Sequence, residues 1–260
     1  MTSSVIVRDL TKCYGSKQAL KGLSFQVEPG CIYGLIGPNG AGKTTAFSIL
    51  AGLMRPTSGA ATILGIDVRP NSRGLASRIG FASPQFGLFD YLNGREILLA
   101  CALMHGLDAT EAESRSRDLL DLLDLEPAAS HFVYEYSQGM RQKLGLACAF
   151  IHAPDVLLLD EPFVALDPAS IYRIVSTLRQ VASGGRTVVL SSHDLALVER
   201  VCHRVGILHE GELKYETDLI ASRGVQPAAI EPSGTAGQSH LESLLWEVVG
   251  TPETKTLSWL

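Results

Sequence analysis

A glycine-rich loop ending in lysine and threonine is the clearest chemical feature of this sequence. Residues 37–44 read Gly-Pro-Asn-Gly-Ala-Gly-Lys-Thr, in which two glycines separated by four residues are followed by Lys43 and Thr44. The backbone N–H groups of such a loop can surround an anion, the lysine can reach terminal phosphates, and the threonine hydroxyl can bind Mg²⁺. The spacing therefore predicts a nucleotide site.

The stretches on either side of this loop have the patterns that the motif requires. Residues 31–36 are apolar and follow Pro29-Gly30, which predicts a buried strand. Residues 45–53 have helical spacing and end before the helix breaker Pro56. A strand, the loop and a helix in this order place the positive end of the helix dipole against the phosphates.

Two acidic residues and a histidine follow other apolar runs. Asp160 and Glu161 come directly after residues 156–159, and His193 comes after residues 187–190 and two serines. Asp160 could hold Mg²⁺ directly or through water, and Glu161 could orient or deprotonate the water that attacks a γ-phosphate. Because ligands bind beyond the carboxyl ends of parallel strands, these side chains and the loop lysine are expected at one edge of the sheet.

The order of the patterns predicts an α/β fold with three parts. Alternating apolar and polar residues over 5–30 predict an antiparallel β subdomain. The pattern is helical over about 88–152, where Asn93 and Thr110 each stand three residues before a glutamate and so predict capping-box helix starts. Continuous apolar runs, joined by a predicted helix over 169–182, indicate a mainly parallel sheet.

The C-terminal part of the sequence differs in composition from the rest. Residues 222–238 are rich in Ala, Pro, Gly and Ser, which predicts a linker. An amphipathic helix is then predicted from the spacing of Leu241, Leu244, Leu245 and Val248.

Composition and charge narrow the class of protein. A chain of 260 residues with 46% apolar residues can bury a sizeable core. The net charge of −5 gives no basic stripe, so nucleic acid is not an expected partner. The longest apolar runs are far shorter than the roughly 20 residues that span a bilayer, so the chain is expected to be soluble by itself.

The five cysteines are an odd number and include no CxxC pair. They predict small, buried apolar residues in a reducing compartment rather than a metal framework. These residues are Cys13, Cys31, Cys101, Cys148 and Cys202.

Taken together, the motifs resemble the nucleotide-binding subunit of an ATP-binding cassette transporter, from about residue 5 to residue 218. The resemblance implies a P-loop NTPase core with a mainly parallel sheet, an antiparallel β subdomain and an inserted α-helical subdomain. It implies a cassette domain over 1–218, with the helical subdomain over about 88–152, followed over 219–260 by the linker and the C-terminal helix.

The same resemblance assigns roles to individual residues. Tyr14 would stack on adenine, Gln85 would sense the metal and the attacking water, and His193 would contact the γ-phosphate. Asp167 would contact the partner subunit, and Glu161 would be catalytic. The metal ligands would be Thr44, Gln85 and Asp160. The residues assigned to the nucleotide are Tyr14, Gly37, Pro38, Asn39, Gly40, Ala41, Gly42, Lys43, Thr44, Thr45, Ser137, Gln138, Gly139 and Asp167.

The signature segment departs from the family pattern at two positions. Tyr136-Ser137-Gln138-Gly139-Met140 stands where the family usually has Leu-Ser-Gly-Gly-Gln, so Gln138 replaces a glycine and Met140 replaces a glutamine. A helix N-terminus can bind phosphate through backbone N–H groups and a serine hydroxyl, so function is expected to survive. This form of the signature, with the segment 88–96, is similar to the branch that exports drugs, lipids, polysaccharides or ions.

The resemblance implies an ATPase subunit that binds ATP and Mg²⁺ and dimerises on ATP with a second copy or a related chain. It would drive a separate transmembrane permease from the cytoplasmic face of the membrane. Two alternatives stay open: a soluble cassette ATPase acting on nucleic acid or ribosomes, and a regulatory module that does not hydrolyse its nucleotide.

Individual aromatic residues also have two interpretations each. Tyr14 could contact the nucleotide or merely cap a hairpin. Phe86, Phe89 and Tyr91 could dock a cytoplasmic helix of the membrane partner or pack inside the helical lobe.

Overall fold

A computed structural model describes residues 3–84, 87–219 and 240–249. Its strands are β1 (Val5–Tyr14), β2 (Lys17–Val27), β3 (Ile32–Ile36), β4 (Ser58–Ile63), β5 (Ile66–Asp67), β6 (Ile79–Ala82), β7 (Val156–Leu159), β8 (Thr187–Ser192), β9 (Arg204–His209) and β10 (Glu212–Asp218). Its helices are α1 (Lys43–Leu50), α2 (Gly94–Met104), α3 (Ala109–Leu122), α4 (Gln138–Phe150), α5 (Pro168–Ser183), α6 (Leu195–Val201) and α7 (His240–Val249). Short 3-10 helices lie at Glu126–Ala128 and Val133–Glu135.

The strands form two sheets of different kinds. The first has the order β2-β1-β4-β5 and is antiparallel. The second has the order β10-β9-β3-β8-β7-β6, with parallel pairing from β9 to β6 and β10 antiparallel at one edge. This is the predicted α/β arrangement, and α2, α3 and α4 lie in the segment predicted to be helical.

The central strands are buried because helices cover both faces of the parallel sheet. Alternate residues of β3, β7 and β8 belong to different apolar clusters. Ile36 and Leu159 pack in the cluster that contains α4, α5 and α6, whereas Leu35 and Leu158 pack in the cluster that contains α1 and the antiparallel sheet. A strand covered on both sides needs apolar residues at every position, which explains the continuous apolar runs.

The register of the parallel sheet brings three strand ends together. Ile36 lies opposite Ser192, and Leu159 lies opposite Leu190. The residues that follow β3, β7 and β8 therefore meet at the same edge, where ligands bind in open α/β sheets.

The two predicted capping boxes have different outcomes. At the start of α2, Asn93 Oδ1 accepts from the Glu96 N–H and the Asn93 N–H donates to Glu96 Oε2, both at 2.9 Å, so this prediction is confirmed. The Thr110 prediction is wrong, because α3 begins at Ala109 with Asp108 as its cap. Aspartate is a stronger N-cap than threonine, and the Asp108 carboxylate, which accepts from the Glu111 N–H, starts the helix earlier.

The C-terminal helix α7 packs against α6 and β9. Leu241 is fully buried, and its N–H donates to Glu199 Oε1 at 2.6 Å. Leu244, Leu245 and Val248 pack on the same core, which confirms the predicted amphipathic helix. The predicted linker at 222–238 lies outside the described residues. None of the helices within 3–84, 87–219 and 240–249 combines the length and apolar character needed to cross a membrane.

Two histidines stack between α2 and the end of α4. The rings of His105 and His152 are 3.7 Å apart and nearly parallel, and His152 Nε2 lies 2.9 Å from the carbonyl oxygen of Ile79. Burial lowers the pKa of both imidazoles below 6.5, and His105 and Arg115 lower that of His152 further. Both rings are therefore neutral in the folded protein at neutral pH.

This arrangement predicts acid sensitivity. Because the unfolded chain binds more protons than the folded protein around the unfolded pKa of about 6.5, the free energy of unfolding should fall as the pH drops through that value. Denaturant unfolding measures this slope. Replacing both His105 and His152 with glutamine should flatten it, whereas replacing the exposed His131 should not. An unchanged slope in the double variant would contradict the interpretation.

Candidate functional site

The glycine-rich loop connects β3 to α1 and can be built only with glycine at two of its positions. Gly37 and Gly42 have φ values of 153° and 111°, which other residues rarely adopt. A Cβ atom would stand 2.0 Å from the carbonyl oxygen of Leu208 at Gly37 and 2.6 Å from that of Ala19 at Gly42. The loop therefore keeps its backbone close to its neighbours and open toward a ligand.

Lys43 is the first residue of α1, and its ammonium group is buried beneath the loop. Lys43 Nζ donates to the carbonyl oxygens of Gly37 at 2.7 Å and Pro38 at 3.2 Å. It also lies 3.9 Å from Glu161 Oε1. Burial lowers the pKa of Lys43, and the negative charges of Glu161 and Asp160 act in the opposite direction. The carbonyl oxygens of the loop thus fix the position of the ammonium group.

Asp160 is almost completely buried at the end of β7 and is held by two serines. Asp160 Oδ1 accepts from the hydroxyl of Ser191 at 2.6 Å, and Oδ2 accepts from that of Ser83 at 3.2 Å. Ser191 lies on the neighbouring strand β8, and its hydroxyl oxygen also accepts from the Glu161 N–H at 2.8 Å. One side chain therefore positions both acidic residues.

Glu161 has a left-handed backbone conformation, with φ of 49°. Such a conformation in a residue other than glycine costs on the order of 1–3 kcal/mol and persists only when its surroundings fix it. The Ser191 hydroxyl holds the Glu161 N–H, and Gln142 Nε2 donates to the Glu161 carbonyl oxygen at 3.2 Å. The chain therefore turns after β7 so that the Glu161 carboxylate lies beside Lys43.

His193, which follows β8, lies beside Glu161. His193 Nδ1 lies 2.8 Å from Glu161 Oε2, close enough for the ring N–H to donate to the carboxylate. The imidazole is 66% exposed, whereas the Glu161 side chain is only 19% exposed. Glu161 therefore lies between a buried ammonium group and an exposed imidazole.

These side chains surround two neighbouring cavities that share Asn39, Thr44 and Glu161. The cavity of about 490 Å³ is lined by Gly37, Pro38, Asn39, Thr44, Pro84, Asp160, Glu161, Val164 and His193. The cavity of about 640 Å³ is lined by Tyr14, Lys17, Ala19, Asn39, Gly40, Gly42, Lys43, Thr44, Thr45 and Glu161. Ala41 lies in the same loop but is buried in the core.

Tyr14 ends β1 directly before a hairpin turn and is also 46% exposed at the cavity. Its hydroxyl donates to Met54 Sδ at 3.0 Å, and the ammonium group of Lys12 lies 5.3 Å from the ring centre. The structure is thus compatible with both interpretations of Tyr14.

The site has oxygen ligands of the kind that Mg²⁺ prefers. Thr44 supplies a hydroxyl group and Asp160 a carboxylate at the same cavity. No group of three or more metal-binding side chains occurs within 3–84, 87–219 and 240–249. Because Mg²⁺ usually binds through one or two carboxylates together with substrate phosphates and water, these residues fit it. Gln85, the third predicted metal ligand, lies outside the described residues.

The remaining predicted residues do not line these cavities. Ser137 caps α4, and its hydroxyl oxygen accepts from the Met140 N–H at 3.2 Å. Asp167 caps α5, accepting from the Ser170 N–H at 2.9 Å, and hydrogen bonds from Ser170 together with nearby Lys143 hold the pKa of Asp167 well below its usual range. Gln138 and Gly139 form the first turn of α4. The predicted site residues that the structure describes therefore lie in two places, around the cavities at Lys43 and at the starts of α4 and α5.

Sequence reasoning missed Ser191 and Gln142, which fix Glu161 in place. Ser191 follows an apolar run on the strand next to β7, and this position could have indicated that it lies at the same sheet edge as Asp160 and Glu161. Gln142 lies in the middle of a helix and carries no comparable signal.

The family model of the ABC transporter matches residues 20–164 of the chain. The chain belongs to the ABC transporter family. It is 34% identical over 219 residues to the linearmycin resistance ATP-binding protein of Bacillus subtilis, covering 83% of this chain and 70% of that protein. It is 36% identical over 248 residues to the Nod factor export ATP-binding protein I of Burkholderia orbicola, covering 90% of this chain and 81% of that protein.

Solved structures of ABC cassettes have the same fold. An ATP-binding subunit of an ABC transporter aligns with a TM-score of 0.78 at 34% identity, covering 85% of this chain and 92% of that one. A dimeric cassette in a post-hydrolysis state with ADP and Pi aligns with a TM-score of 0.76 at 28% identity, covering 83% and 98%. The predicted P-loop NTPase fold and the predicted ATPase activity are confirmed, and ATP is the nucleotide of this ABC cassette.

Gly139 lies where α4 meets the loop after β7. A Cβ atom there would stand 2.5 Å from the carbonyl oxygen of Ala165. Alanine is normally better than glycine in a helix by about 1 kcal/mol. Overpacking against a fixed backbone costs about 1–3 kcal/mol, so the clash should outweigh the gain in helix propensity.

We therefore expect Gly139→Ala to lower the free energy of unfolding by on the order of 1 kcal/mol. The exposed neighbour Gln138 provides the control, because Gln138→Ala adds no atom and should change stability little. Urea unfolding of both variants measures the difference. If Gly139→Ala is as stable as Gln138→Ala, α4 and the loop do not pack in this way.

Proposed function

We propose that this chain is the ATP-hydrolysing subunit of an exporter, acting on a separate transmembrane permease from the cytoplasmic face of the membrane. The observation that carries the proposal is the convergence of Lys43, Asp160, Glu161 and His193 at one sheet edge. Relatives whose names describe drug resistance and Nod factor export support the direction of transport.

In the proposed mechanism, the loop N–H groups and Lys43 bind the β- and γ-phosphates of ATP. Thr44 and Asp160 would hold Mg²⁺, which would neutralise phosphate charge when bound. Glu161 orients and polarises the attacking water, and its contact with His193 fixes the carboxylate at the γ-phosphate side of the cavity. Tyr14 contacts adenine at the other end of the paired cavities.

We also propose that Ser137, Gln138, Gly139 and Asp167 serve the nucleotide of a second subunit. Their absence from the linings of the cavities around Lys43 supports this assignment. The N-terminus of α4 has the Ser137 hydroxyl and the N–H groups of its first turn, which suit a phosphate. The similar dimeric cassette structure supports pairing of two ATP-binding subunits, either two copies or two related chains.

The permease would contact an aromatic surface of the helical subdomain. Phe89 is 72% exposed and Tyr91 is 84% exposed, which excludes packing inside the helical lobe for both. Tyr91 lies against Tyr134, which stacks on Phe132. Phe86 lies outside the described residues.

An ion pair connects this surface to α4. Arg141 Nη1 donates to Asp90 Oδ1 at 2.6 Å. A permease helix bound to the aromatic residues would therefore lie close to the start of α4.

We further propose the domain division expected from the sequence, with the cassette over 1–218, its helical subdomain over about 88–152, and a C-terminal segment over 219–260. The packing of α7 on α6 supports a covering role for that segment. The arrangement of Glu161 and His193 argues against a regulatory module that does not hydrolyse ATP, and the net charge argues against a nucleic-acid partner.

Glu161→Gln tests the proposed chemistry. The amide keeps the shape of the carboxylate but cannot polarise water, so ATP hydrolysis should fall by about 100-fold or more while ATP binding remains. An ATP-dependent dimer should then accumulate and be visible by light scattering. The exposed Glu247 on α7 provides a matched control, since Glu247→Gln should hydrolyse ATP normally. Unchanged hydrolysis in Glu161→Gln would refute the assignment.

A further inference from the structure

A groove of about 540 Å³ lies between α5 and α6, and it shares no lining residue with the two cavities around Lys43. Its floor is apolar, because Val175 of α5 and Leu197 and Val201 of α6 line it and are part of the core. The exposed Tyr172 lies on its α5 side. Small-molecule sites are mostly apolar cavities of roughly 300–1,000 Å³ with a few polar groups, so the groove has the size and character of such a site.

Two guanidinium groups lie toward the C-terminal ends of the two helices in this groove. They belong to Arg179 of α5 and Arg200 of α6. Arg179 Nη2 donates to the carbonyl oxygen of Arg200 at 2.8 Å, which holds the Arg179 side chain at this end. No carboxylate within the described part of the chain forms an ion pair with either arginine. The groove therefore combines an apolar floor with two positive charges at one end.

The opposite end of the groove carries a negative charge. Asp194 lines it there and caps α6, with Oδ1 accepting from the Leu197 N–H at 3.0 Å. At a rise of 1.5 Å per residue, Asp194 and Arg200 are about 9 Å apart along the helix. The three charged side chains that line the groove leave one net positive charge, which a monoanion would balance. Asp194 would repel that anion, so its charged group belongs at the arginine end.

We propose that this groove binds an amphipathic carboxylate, such as a fatty acid of medium chain length. The carboxylate accepts hydrogen bonds from Arg179 and Arg200, because a guanidinium group presents its N–H donors in a planar fork that matches the two carboxylate oxygens. The hydrocarbon chain lies on Val175, Leu197 and Val201 and is removed from water there. This site goes beyond the proposed ATPase function and does not depend on it.

The test measures binding of radiolabelled decanoate to the folded full chain by equilibrium dialysis, without nucleotide and below the concentration at which decanoate forms micelles. We expect saturable binding of one molecule per chain. Decyltrimethylammonium has the same hydrocarbon chain with the opposite charge, and acetate has the carboxylate without the chain. Each should bind at least about 10-fold more weakly, because each lacks one of the two interactions.

Two variants of exposed groove residues locate the site, and exposed positions tolerate these changes without loss of the fold. Arg200→Gln should weaken decanoate binding by about 10-fold, because it removes charge-assisted hydrogen bonds. Ala196→Trp should block binding, because Ala196 lines the groove and the indole would fill it. Arg186→Gln is the matched control, since Arg186 is exposed outside the groove, and its affinity should be unchanged.

Three results would overturn the proposal. The first is the absence of saturable decanoate binding to the folded protein. The second is binding of decyltrimethylammonium or acetate as tight as that of decanoate. The third is an unchanged affinity for decanoate in Arg200→Gln or in Ala196→Trp, with circular dichroism showing that the variant is folded.

Discussion

The buried charge of Lys43 is the constraint on which the rest of this site depends. Burial disfavours an ammonium group, and two backbone carbonyls together with Glu161 offset that cost only in part. A phosphate bound in the loop would accept charge-assisted hydrogen bonds from the same ammonium group. The loop that holds this cation also passes so close to the carbonyl oxygens of Leu208 and Ala19 that glycine is required at Gly37 and Gly42.

The carboxylates opposite this lysine are held by the sheet rather than by a loop. Ser191 on β8 binds Asp160 and Glu161 at once, so the pairing of two parallel strands sets the separation of the acidic residues. Glu161 keeps a left-handed backbone because Ser191 holds its N–H and Gln142 of α4 holds its carbonyl oxygen. Since Ser137 caps α4, the contact of Gln142 with Glu161 also links the catalytic edge to the segment proposed to face the second subunit.

Much of this arrangement could be predicted from the sequence, because parallel strands place the residues after their carboxyl ends at one edge. Lys43, Asp160 and His193 follow from that rule. Contacts between distant helices could not be predicted in the same way. No pattern in the sequence indicates that His105 stacks on His152, and the Thr110–Glu113 spacing predicts a capping box although Asp108 is the residue that caps α3. The exposure of Phe89 and Tyr91 likewise depends on tertiary packing.

The central claim is tested most directly by measuring how tightly Lys43→Met and Lys17→Met bind an ATP analogue that resists hydrolysis. Both lysines line the same cavity, but Lys17 is exposed whereas Lys43 is buried beneath the loop. Loss of charge-assisted hydrogen bonds to phosphate should weaken binding by about 100-fold for Lys43→Met, with only a small change for Lys17→Met. Equal affinities in two folded variants would contradict the account.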